Sequence, residues 1–237
     1  MRVLVTAGNT QVPIDQVRVI TSVFTGRTGA AIAVEGYLRG HQVTLLTSHP
    51  EVVVAPSGFP ADPSRWSVCT YRTFDELEGC ISNLVRQGSF DAIIHAAAVS
   101  DYRISGVYLP SADGSRQEIS ASKIPSTYPE LWLRLTPTPK LVDRFRRDWG
   151  YQGLLVKFKL EADRGDTELL AIAEQSRLHS RADLLVANRL EDRGQWAWLG
   201  PLQGGYQRVE RSALPRSLWQ AVEELFISHS SNPPHQG

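Results

Sequence analysis

Short apolar runs alternate with longer helical patterns along most of this chain, and this alternation restricts the folds that are open to it. The runs VLV, AIIHAAAV and LLVKF are apolar on both faces of the pleat, as central parallel strands are. The repetition predicts an α/β fold with a doubly wound, mostly parallel sheet. The predicted strands are Arg2–Ala7, Gln42–Thr47, Trp66–Tyr71, Asp91–Ala97, Leu154–Leu160 and Asp183–Ala187, and the predicted helices are Gly26–Arg39, Phe74–Gln87, Thr138–Arg147 and Asp166–His179.

Two long segments interrupt this rhythm. Gly8–Thr25 is far longer than a usual βα loop. Tyr102–Thr127 has no helical or strand periodicity in its apolar residues, and its sequence predicts an extended flap or a hairpin. Both follow the carboxyl ends of predicted strands, where ligands bind in open α/β sheets. Loops of this length are functional or disordered, and a disordered flap without a role stays open as an alternative.

The pattern changes after the last predicted strand. Trp196–Leu199 and Tyr206–Val209 fit a β-hairpin, and Leu214–Phe226 has the apolar spacing of a closing helix. We therefore expect residues 1–228 to form one domain that carries the flap 102–127. Residues 229–237 are expected to be a disordered tail.

Composition excludes several classes of partner. Lys plus Arg and Asp plus Glu both total 25, so the formal net charge is zero and no basic block predicts a nucleic-acid partner. No apolar run approaches the ~20 residues that span a bilayer, so no membrane partner is predicted. The start, MRVLVTAG, has the pattern of a strand and not of a signal peptide. Cys69 and Cys80 lack metal or redox spacing, which favours reduced thiols in a cytoplasmic protein.

Glycines and hydroxyl residues cluster where two predicted elements meet. Gly8 follows the first strand in VTAGNT, and Gly26 and Gly29 flank the start of a helix in TSVFTGRTGAAIA. Free amides and the positive end of the helix dipole suit a phosphate at such a corner. The alternative is a turn that only lets the helix pack closely on the sheet. Neither GxGxxG nor a Walker A motif is present, yet the two corners together favour a nucleotide or a phosphorylated substrate.

Four further side chains are candidates for chemistry. Asp101 follows three alanines at a strand end, where a carboxylate can bind a substrate hydroxyl or Mg²⁺. Lys123 lies in the second long loop, where an ammonium can neutralise charge that develops during nucleotidyl transfer. Phe158 and Asn188 end two strands and can contact a base or a sugar. The ordinary alternatives are a surface Asp, a loop Lys, a core Phe and a turn-forming Asn.

Eight short motifs occur in one order over roughly residues 2 to 190: VLVTAGNT, PIDQVRVIT, TGRTGAAIA, AAAVSDY, SKIPST, PTPKLVDRF, FKLEAD and ADLLVAN. In this order they resemble the phosphopantothenate–cysteine ligase (phosphopantothenoylcysteine synthetase) family. SKIPST and FKLE look more like the single-activity forms than like the bacterial fusions with a flavin decarboxylase, so no flavin is expected. The resemblance implies a modified Rossmann-like fold and a homodimer.

The resemblance also implies a reaction of coenzyme A biosynthesis. With Mg²⁺ and CTP or ATP, the carboxylate of 4'-phosphopantothenate becomes an acyl-nucleotide and pyrophosphate leaves. The cysteine amine then attacks the acyl carbon. We expect CTP in preference to ATP.

The resemblance assigns roles to individual positions. For the nucleotide, it implies that Gly8, Gly26 and Gly29 lie along the phosphates and that Phe158 and Asn188 contact the base or ribose. For the substrate, it implies that Ala97, Ala98 and Asp101 line the pantothenate arm and that Arg18 reaches the substrate phosphate from the partner subunit. It implies Lys123 and Ser22 as the catalytic side chains. Ser22 stands where the family usually has the Asn that holds the acyl group, and Val23 and Phe24 replace small hydroxyl residues.

Those departures motivate a second hypothesis, a diverged relative that binds a nucleotide or phosphorylated ligand without forming the amide. A third hypothesis is an NAD(P)-dependent oxidoreductase. The absence of GxGxxG and of an acidic residue at the end of Gln42–Thr47 disfavours the third.

Overall fold

The structure of the protein is a computed structural model that describes residues 1–111 and 114–231. Five α-helices are found within these ranges: α1 (Arg27–Leu38), α2 (Phe74–Gln87), α3 (Leu141–Arg147), α4 (Asp166–Ser180) and α5 (Leu214–Ser231). The strands are β1 (Arg2–Ala7), β2 (Gln11–Pro13), β3 (Val19–Thr21), β4 (Gln42–Thr47), β5 (Trp66–Thr70), β6 (Ala92–His95), β7 (Tyr102–Pro110), β8 (Arg116–Ile119), β9 (Trp132–Pro137), β10 (Leu154–Glu161), β11 (Leu184–Arg189), β12 (Trp196–Leu202) and β13 (Gly205–Glu210).

Eight strands form the central sheet, in the order β13-β12-β11-β10-β6-β1-β4-β5. The six strands from β11 to β5 are parallel to one another, whereas β12 and β13 pair antiparallel at one edge. The chain builds outward from β1 through β4 to β5, and then returns to add β6, β10 and β11 on the other side. This is the strand order of Rossmann sheets, so the predicted Rossmann-like α/β fold is confirmed.

Helices cover both faces of the sheet. On one face, α1 and α5 bring Ile32 and Trp219 into the cluster that contains Val5. On the other face, α2 and α3 bring Leu77 and Phe145 into the cluster that contains Leu4. Leu4 and Val5 are neighbours on one strand, so their side chains point to opposite faces of the pleat. Within the described ranges, no helix has both the length and the apolar character needed to cross a membrane.

Most predicted elements are confirmed to within a few residues, and the differences have local causes. The predicted strand Asp91–Ala97 ends at His95, and beyond it only an isolated parallel bridge between Asn9 and Ala98 remains, in which Ala98 N–H donates to the Gly8 carbonyl at 2.8 Å. The helix predicted from Thr138 begins at Leu141. A proline follows Thr138 directly, and a residue before proline is disfavoured in the α conformation.

Both long segments contain strands. Gly8–Thr25 includes the antiparallel hairpin formed by β2 and β3. The predicted flap belongs to a separate three-stranded antiparallel sheet, β8-β7-β9, which continues beyond residue 127 to Pro137. The flap is therefore longer than predicted, because β9 pairs back along most of β7.

The carboxyl-terminal elements follow the prediction except at their end. The predicted hairpin is β12 and β13, which extend the central sheet. Helix α5 continues to Ser231, so residues 229–231, predicted to be disordered, are helical. No helix-breaking residue precedes Pro233, which accounts for the extra turn. The rest of the predicted tail, 232–237, lies outside the described residues.

Helices α1 and α5 cross at a glycine. Trp219 is fully buried and its indole N–H donates to the Ile32 carbonyl at 2.7 Å. A Cβ at Gly36 would lie 2.3 Å from Cζ2 of the Trp219 ring. The close approach of the two helices therefore requires glycine at this position.

Alanine substitutions at two helical glycines should have opposite effects on the free energy of unfolding. Gly36→Ala should lower it by about 1–3 kcal/mol, the usual cost of overpacking a core. Gly79→Ala, in α2, should raise it by about 0.5–1 kcal/mol, because a Cβ there meets nothing within 4 Å. Urea unfolding of the two variants beside wild type measures both, and equal effects would contradict this account of the α1–α5 contact.

Candidate functional site

The two glycine corners that the sequence singles out touch each other at the carboxyl end of β1. Gly8 and Gly26 have φ angles of 86° and 82°, a region that side-chain-bearing residues rarely adopt. A Cβ on Gly26 would lie 2.1 Å from the Gly8 nitrogen, and a Cβ on Gly8 would lie 2.2 Å from Ser48 Oγ. The two corners therefore form one continuous backbone wall between β1 and the start of α1.

The amino terminus of α1 opens onto this wall without a side-chain cap. Gly26 is the N-cap residue, no side chain accepts a hydrogen bond from the first amides, and the first turn contains no acidic residue. Such an end presents backbone N–H groups and the positive end of the helix dipole. This arrangement is suited to an anion.

Gly29 serves the packing of α1 on the sheet. It is buried, and a Cβ there would lie 2.7 Å from the Ala7 Cβ. Close packing was the alternative that the sequence left open for this stretch, and the structure assigns it to Gly29. A phosphate contact at Gly29 stays a prediction.

Asn9 joins three loops at this edge, a role that sequence reasoning missed. Its backbone N–H donates to Ser48 Oγ at 2.9 Å, and its Nδ2 donates to the Ser22 carbonyl at 2.8 Å. His49 Nε2 lies 3.2 Å from its Oδ1. The available signal was a polar residue directly after a buried strand. Ser22 is held through its carbonyl while its side chain is exposed.

The segment after β6 runs beside the segment after β1. Ala98 N–H donates to the Gly8 carbonyl at 2.8 Å, and Thr10 N–H donates to the Ala98 carbonyl at 3.2 Å. Ala97 N–H donates to Thr6 Oγ1 at 3.3 Å. The chain order reverses between β1 and β6, so this pair of segments lies at the topological switch point, where ligands bind in such sheets.

Asp101 stands at the rim of the same edge. Its carboxylate is exposed and lies 2.5 Å from the Lys140 ammonium, while its carbonyl accepts the Thr138 N–H at 2.9 Å. Sequence reasoning quoted the PTPK motif but did not single out Lys140. An ammonium and a carboxylate thus stand together where the pantothenate arm is predicted.

Arg18 is engaged within its own chain. Its guanidinium forms an ion pair with Asp15 and donates to the Ile124 carbonyl at 2.8 Å. Asp15 Oδ2 also accepts the Ile124 N–H at 3.1 Å. The hydrogen bond from Arg18 is the main reason that the pKa of Asp15 lies far below its usual range. The predicted contact of Arg18 with a substrate phosphate stays a prediction.

These contacts hold the flap residues on either side of Lys123. Ile124 is tied to Asp15 and Arg18, and the Ser122 carbonyl accepts the Gln16 N–H at 3.0 Å. Lys123 itself is exposed, and no carboxylate within the described ranges pairs with its ammonium. The β2–β3 turn thus positions a lysine whose charge is not neutralised.

The predicted base-contacting residues lie on neighbouring strands. Phe158 is half-buried on β10 and lies beside Val186 of β11, two residues before Asn188. Asn188 is buried, and its Oδ1 accepts a hydrogen bond from Arg211 Nη1 at 2.9 Å. Arg211, which directly follows β13, is a second residue that sequence reasoning missed.

Two buried basic side chains lie beneath this edge. The Lys157 ammonium donates to the Ser176 carbonyl at 3.0 Å and to the hydroxyls of Ser176 and Ser180 at 2.9 and 3.0 Å. Burial lowers the pKa of Lys157 to about 8. Burial, and then the Lys157 charge, lowers the pKa of His95 to about 4, so this imidazole is neutral beside Thr6.

Comparison with known proteins identifies the family. The family model of the DNA/pantothenate metabolism flavoprotein C-terminal domain matches residues 1–197. The chain belongs to this family. The predicted resemblance to phosphopantothenate–cysteine ligases is thereby confirmed.

The curated relatives include bifunctional CoaBC proteins of coenzyme A biosynthesis. The bifunctional protein CoaBC of Thermococcus kodakarensis is 33% identical over 230 residues, which cover 95% of this chain and 51% of that protein. The CoaBC protein of Escherichia coli is 28% identical over 190 residues, which cover 79% of this chain and 41% of that protein. The chain thus spans about half the length of the curated relatives that it matches.

Solved structures share the fold. The crystal structure of the DNA/pantothenate metabolism flavoprotein from Streptococcus pneumoniae has a TM-score of 0.80 at 26% identity and covers 95% of this chain and 99% of that one. A Cab2 variant in complex with phosphopantothenate-cysteine has a TM-score of 0.72 at 20% identity, covers 98% of this chain and 89% of that one, and supports the fold alone.

Substitution of Lys157 should change how stability depends on pH. The pKa of Lys157 is about 8 in the folded protein against 10.5 as its ordinary value, so the unfolded chain binds the proton more tightly between these values. The free energy of unfolding of wild type should therefore rise, relative to Lys157→Met, by about 2 kcal/mol between pH 7.5 and pH 10.

Urea unfolding at the two pH values measures this difference. Lys159→Met is the matched control, because Lys159 lies on the same strand and pairs with Glu161 at 2.7 Å. A difference for Lys157→Met that is no larger than for Lys159→Met would contradict the effect of burial.

Proposed function

We propose that this chain condenses 4'-phosphopantothenate with cysteine through an acyl-nucleotide intermediate. The observation that carries the proposal is the contact of Gly8 with Gly26 at the switch point, beside the uncapped start of α1. Membership of this family and the similarity to CoaBC proteins of coenzyme A biosynthesis support it and disfavour the oxidoreductase hypothesis. The two cysteines are free thiols, which fits the predicted cytoplasmic location.

The reaction requires stabilisation of charge and not a nucleophilic side chain. The substrate carboxylate attacks the α-phosphorus of the triphosphate, a carboxylate–phosphorus bond forms, and pyrophosphate leaves. The cysteine amine then attacks the acyl carbon, loses its proton, and the nucleoside monophosphate leaves. Backbone amides at the glycine wall and an ammonium from the flap are suitable partners for the negative charge that builds on the phosphates.

Lys123 is the side chain that we propose stabilises the negative charge on the phosphates. It is exposed on the flap, and both of its neighbours are tied to the β2–β3 turn. Asp15 and Arg18 therefore position it, while its ammonium stays available for a phosphate. Ala97, Ala98 and Asp101 line the proposed pantothenate arm on the other side of the switch point, where Ala98 bonds the Gly8 carbonyl.

Magnesium would accompany the nucleotide. The described residues contain no group of three or more His, Cys, Asp or Glu side chains that could hold a metal ion by themselves. Mg²⁺ usually binds through substrate phosphates with one or two carboxylates, and Asp101 offers an exposed carboxylate at the rim. When bound, the ion would neutralise part of the triphosphate charge.

The choice of CTP in preference to ATP is part of the proposal. Phe158 lies on β10 opposite Val186, two residues before Asn188 on β11, and the two side chains offer a ring face and an amide to the base or ribose. A small pyrimidine and a larger purine would use the same two groups, and the turnover rates with CTP and with ATP measure the preference between them.

A diverged relative that binds a nucleotide without forming the amide is the second candidate. Ser22 carries one short hydroxyl where the family usually has an amide, and Phe24 is half-buried nearby in the chain. Asn9 Nδ2 donates to the Ser22 carbonyl, and Asn9→Gly removes this hydrogen bond. Ser22→Asn should therefore be tested both alone and together with Asn9→Gly. A thermal shift with CTP but no turnover in wild type would favour this candidate, and turnover gained by Ser22→Asn would identify the missing amide as its cause.

We also propose that two copies associate through the β2–β3 hairpin. Val17, Val19, Ile20 and Val23 are exposed on or beside it, Val23 at 84%. Among the described strands, β3 pairs with β2 alone, so its other edge is open. An open, apolar edge favours pairing with another chain, and a second copy supplies the same surface in a two-fold dimer.

Lys123→Gln should lower pyrophosphate release by about 10²–10³-fold in kcat, the range for loss of one preorganised partner of developing charge. The assay supplies phosphopantothenate, cysteine, Mg²⁺ and CTP, ATP, GTP or UTP in turn. Lys123→Arg should retain more activity than Lys123→Gln.

Arg116→Gln is the control, because it removes an exposed positive charge from the same flap sheet. Absence of pyrophosphate release with every nucleoside triphosphate would contradict the proposed function. Equal rates for Lys123→Gln and wild type would contradict only the role of Lys123.

The double variant Val19→Asp, Val23→Asp should shift the protein from dimer to monomer in sedimentation velocity, because it places charges on an apolar interface. Val54→Asp is the control, since Val54 is equally apolar and 85% exposed in a loop outside the hairpin. A wild type that sediments as a monomer at micromolar concentration would contradict the dimer.

A further inference from the structure

Arg211 connects two elements of the candidate site. It follows the last strand of the sheet, its Nη1 donates to Asn188 Oδ1 at 2.9 Å, and its Nη2 donates to the Thr28 hydroxyl. Asn188 is the next-to-last residue of β11, and Thr28 is in the first turn of α1. The guanidinium therefore lies between the end of a central strand and the uncapped start of a helix.

The charge of Arg211 has no carboxylate partner within residues 1–111 and 114–231. Every other partly buried arginine in these ranges pairs with Asp or Glu, as Arg146 does with Asp183 and Arg177 does with Glu174. Burial without an acidic neighbour lowers the pKa of Arg211. Its position is thus an exception that the fold alone does not explain.

The position of Arg211 beside the start of α1 makes its unpaired charge more unfavourable. The amino terminus of α1 carries the positive end of the helix dipole, and a cation beside it is repelled. Gly26 and the first amides of α1 are uncapped on the same side of the sheet. An anion placed among Arg211, Thr28 and the first turn of α1 would be attracted by the guanidinium and by the dipole at once.

We propose that Arg211 binds the phosphate chain of the nucleoside triphosphate and fixes the orientation of Asn188. This inference rests on the proposed function and names a binding residue that the sequence motifs do not contain. With Oδ1 occupied by Arg211, Asn188 offers its Nδ2 protons to an acceptor atom of the base or ribose. One side chain thereby couples recognition of the phosphates to recognition of the nucleoside.

Binding of inorganic tripolyphosphate, of CTP and of cytidine to the purified full chain tests this role. Arg211→Gln should lower the affinity for tripolyphosphate and for CTP by about 10–100-fold, the range for loss of a charge-assisted hydrogen bond in a shielded site. In turnover, the KM for the nucleotide should rise by a similar factor while the KM for phosphopantothenate stays within about threefold. Arg208→Gln is the matched control, because Arg208 is an exposed arginine on β13 that stacks on Trp196 of β12.

Arg211→Lys keeps the charge and loses the fork that reaches Asn188 and Thr28 together. Its affinity for tripolyphosphate should lie within about fivefold of that of wild type, and it should lose more affinity for CTP than for tripolyphosphate. This variant also supplies the comparison if Arg211→Gln fails to fold. Raising the salt concentration should weaken tripolyphosphate binding more steeply in wild type than in Arg211→Gln.

The inference is overturned if tripolyphosphate binds Arg211→Gln as tightly as wild type, or if the two KM values rise together. It is also overturned if wild type binds neither tripolyphosphate nor CTP. Failure of the proposed function looks different: wild type would bind the nucleotide through Arg211 and release no pyrophosphate.

Discussion

The close contact between the backbones of Gly8 and Gly26 is the constraint on which the rest of this site depends. It brings the turn after β1 against the residue before α1, although seventeen residues and a hairpin separate the two in the chain. A methyl group on Gly26 would lie 2.1 Å from the Gly8 nitrogen, so the contact exists only without side chains. It sets the start of α1 beside the carboxyl end of the central strand.

Polar contacts then arrange the neighbouring loops around this wall. Ala98 bonds the Gly8 carbonyl, Asn9 bonds the Ser22 carbonyl, and Arg211 joins Asn188 to Thr28. These contacts link the segment after β1 to the segment after β6 and to the loop before α1, and they link the residue after β13 to β11 and α1. The consequence is a set of amides, hydroxyls and cations that face one edge of the sheet.

Sequence reasoning was most successful where local pattern and tertiary structure agree. Apolar runs such as LLVKF predicted central strands. The bounds of α2 were also predicted without error, and the structure shows a capping box of Thr73 and Glu76 at the start of this helix. The flap was under-predicted because β9 is held by pairing with β7, a partner more than twenty residues away. Asn9 and Arg211 were missed because nothing adjacent to them in the chain indicates what they contact.

The sequence by itself determined the fold class, the positions of the glycine corners and the family, since each depends on residue type and on order along the chain. Only the tertiary structure decided that Gly29 packs against Ala7 while Gly26 meets Gly8, that Arg18 turns to Asp15 and the flap, and that Arg211 has no acidic partner among the residues that the structure describes. The physical reason is that these contacts depend on how the chain folds back on itself. Arg211 and the flap meet elements that are distant along the chain, and the glycine contacts depend on the path of the segment between β1 and α1, which no local periodicity encodes.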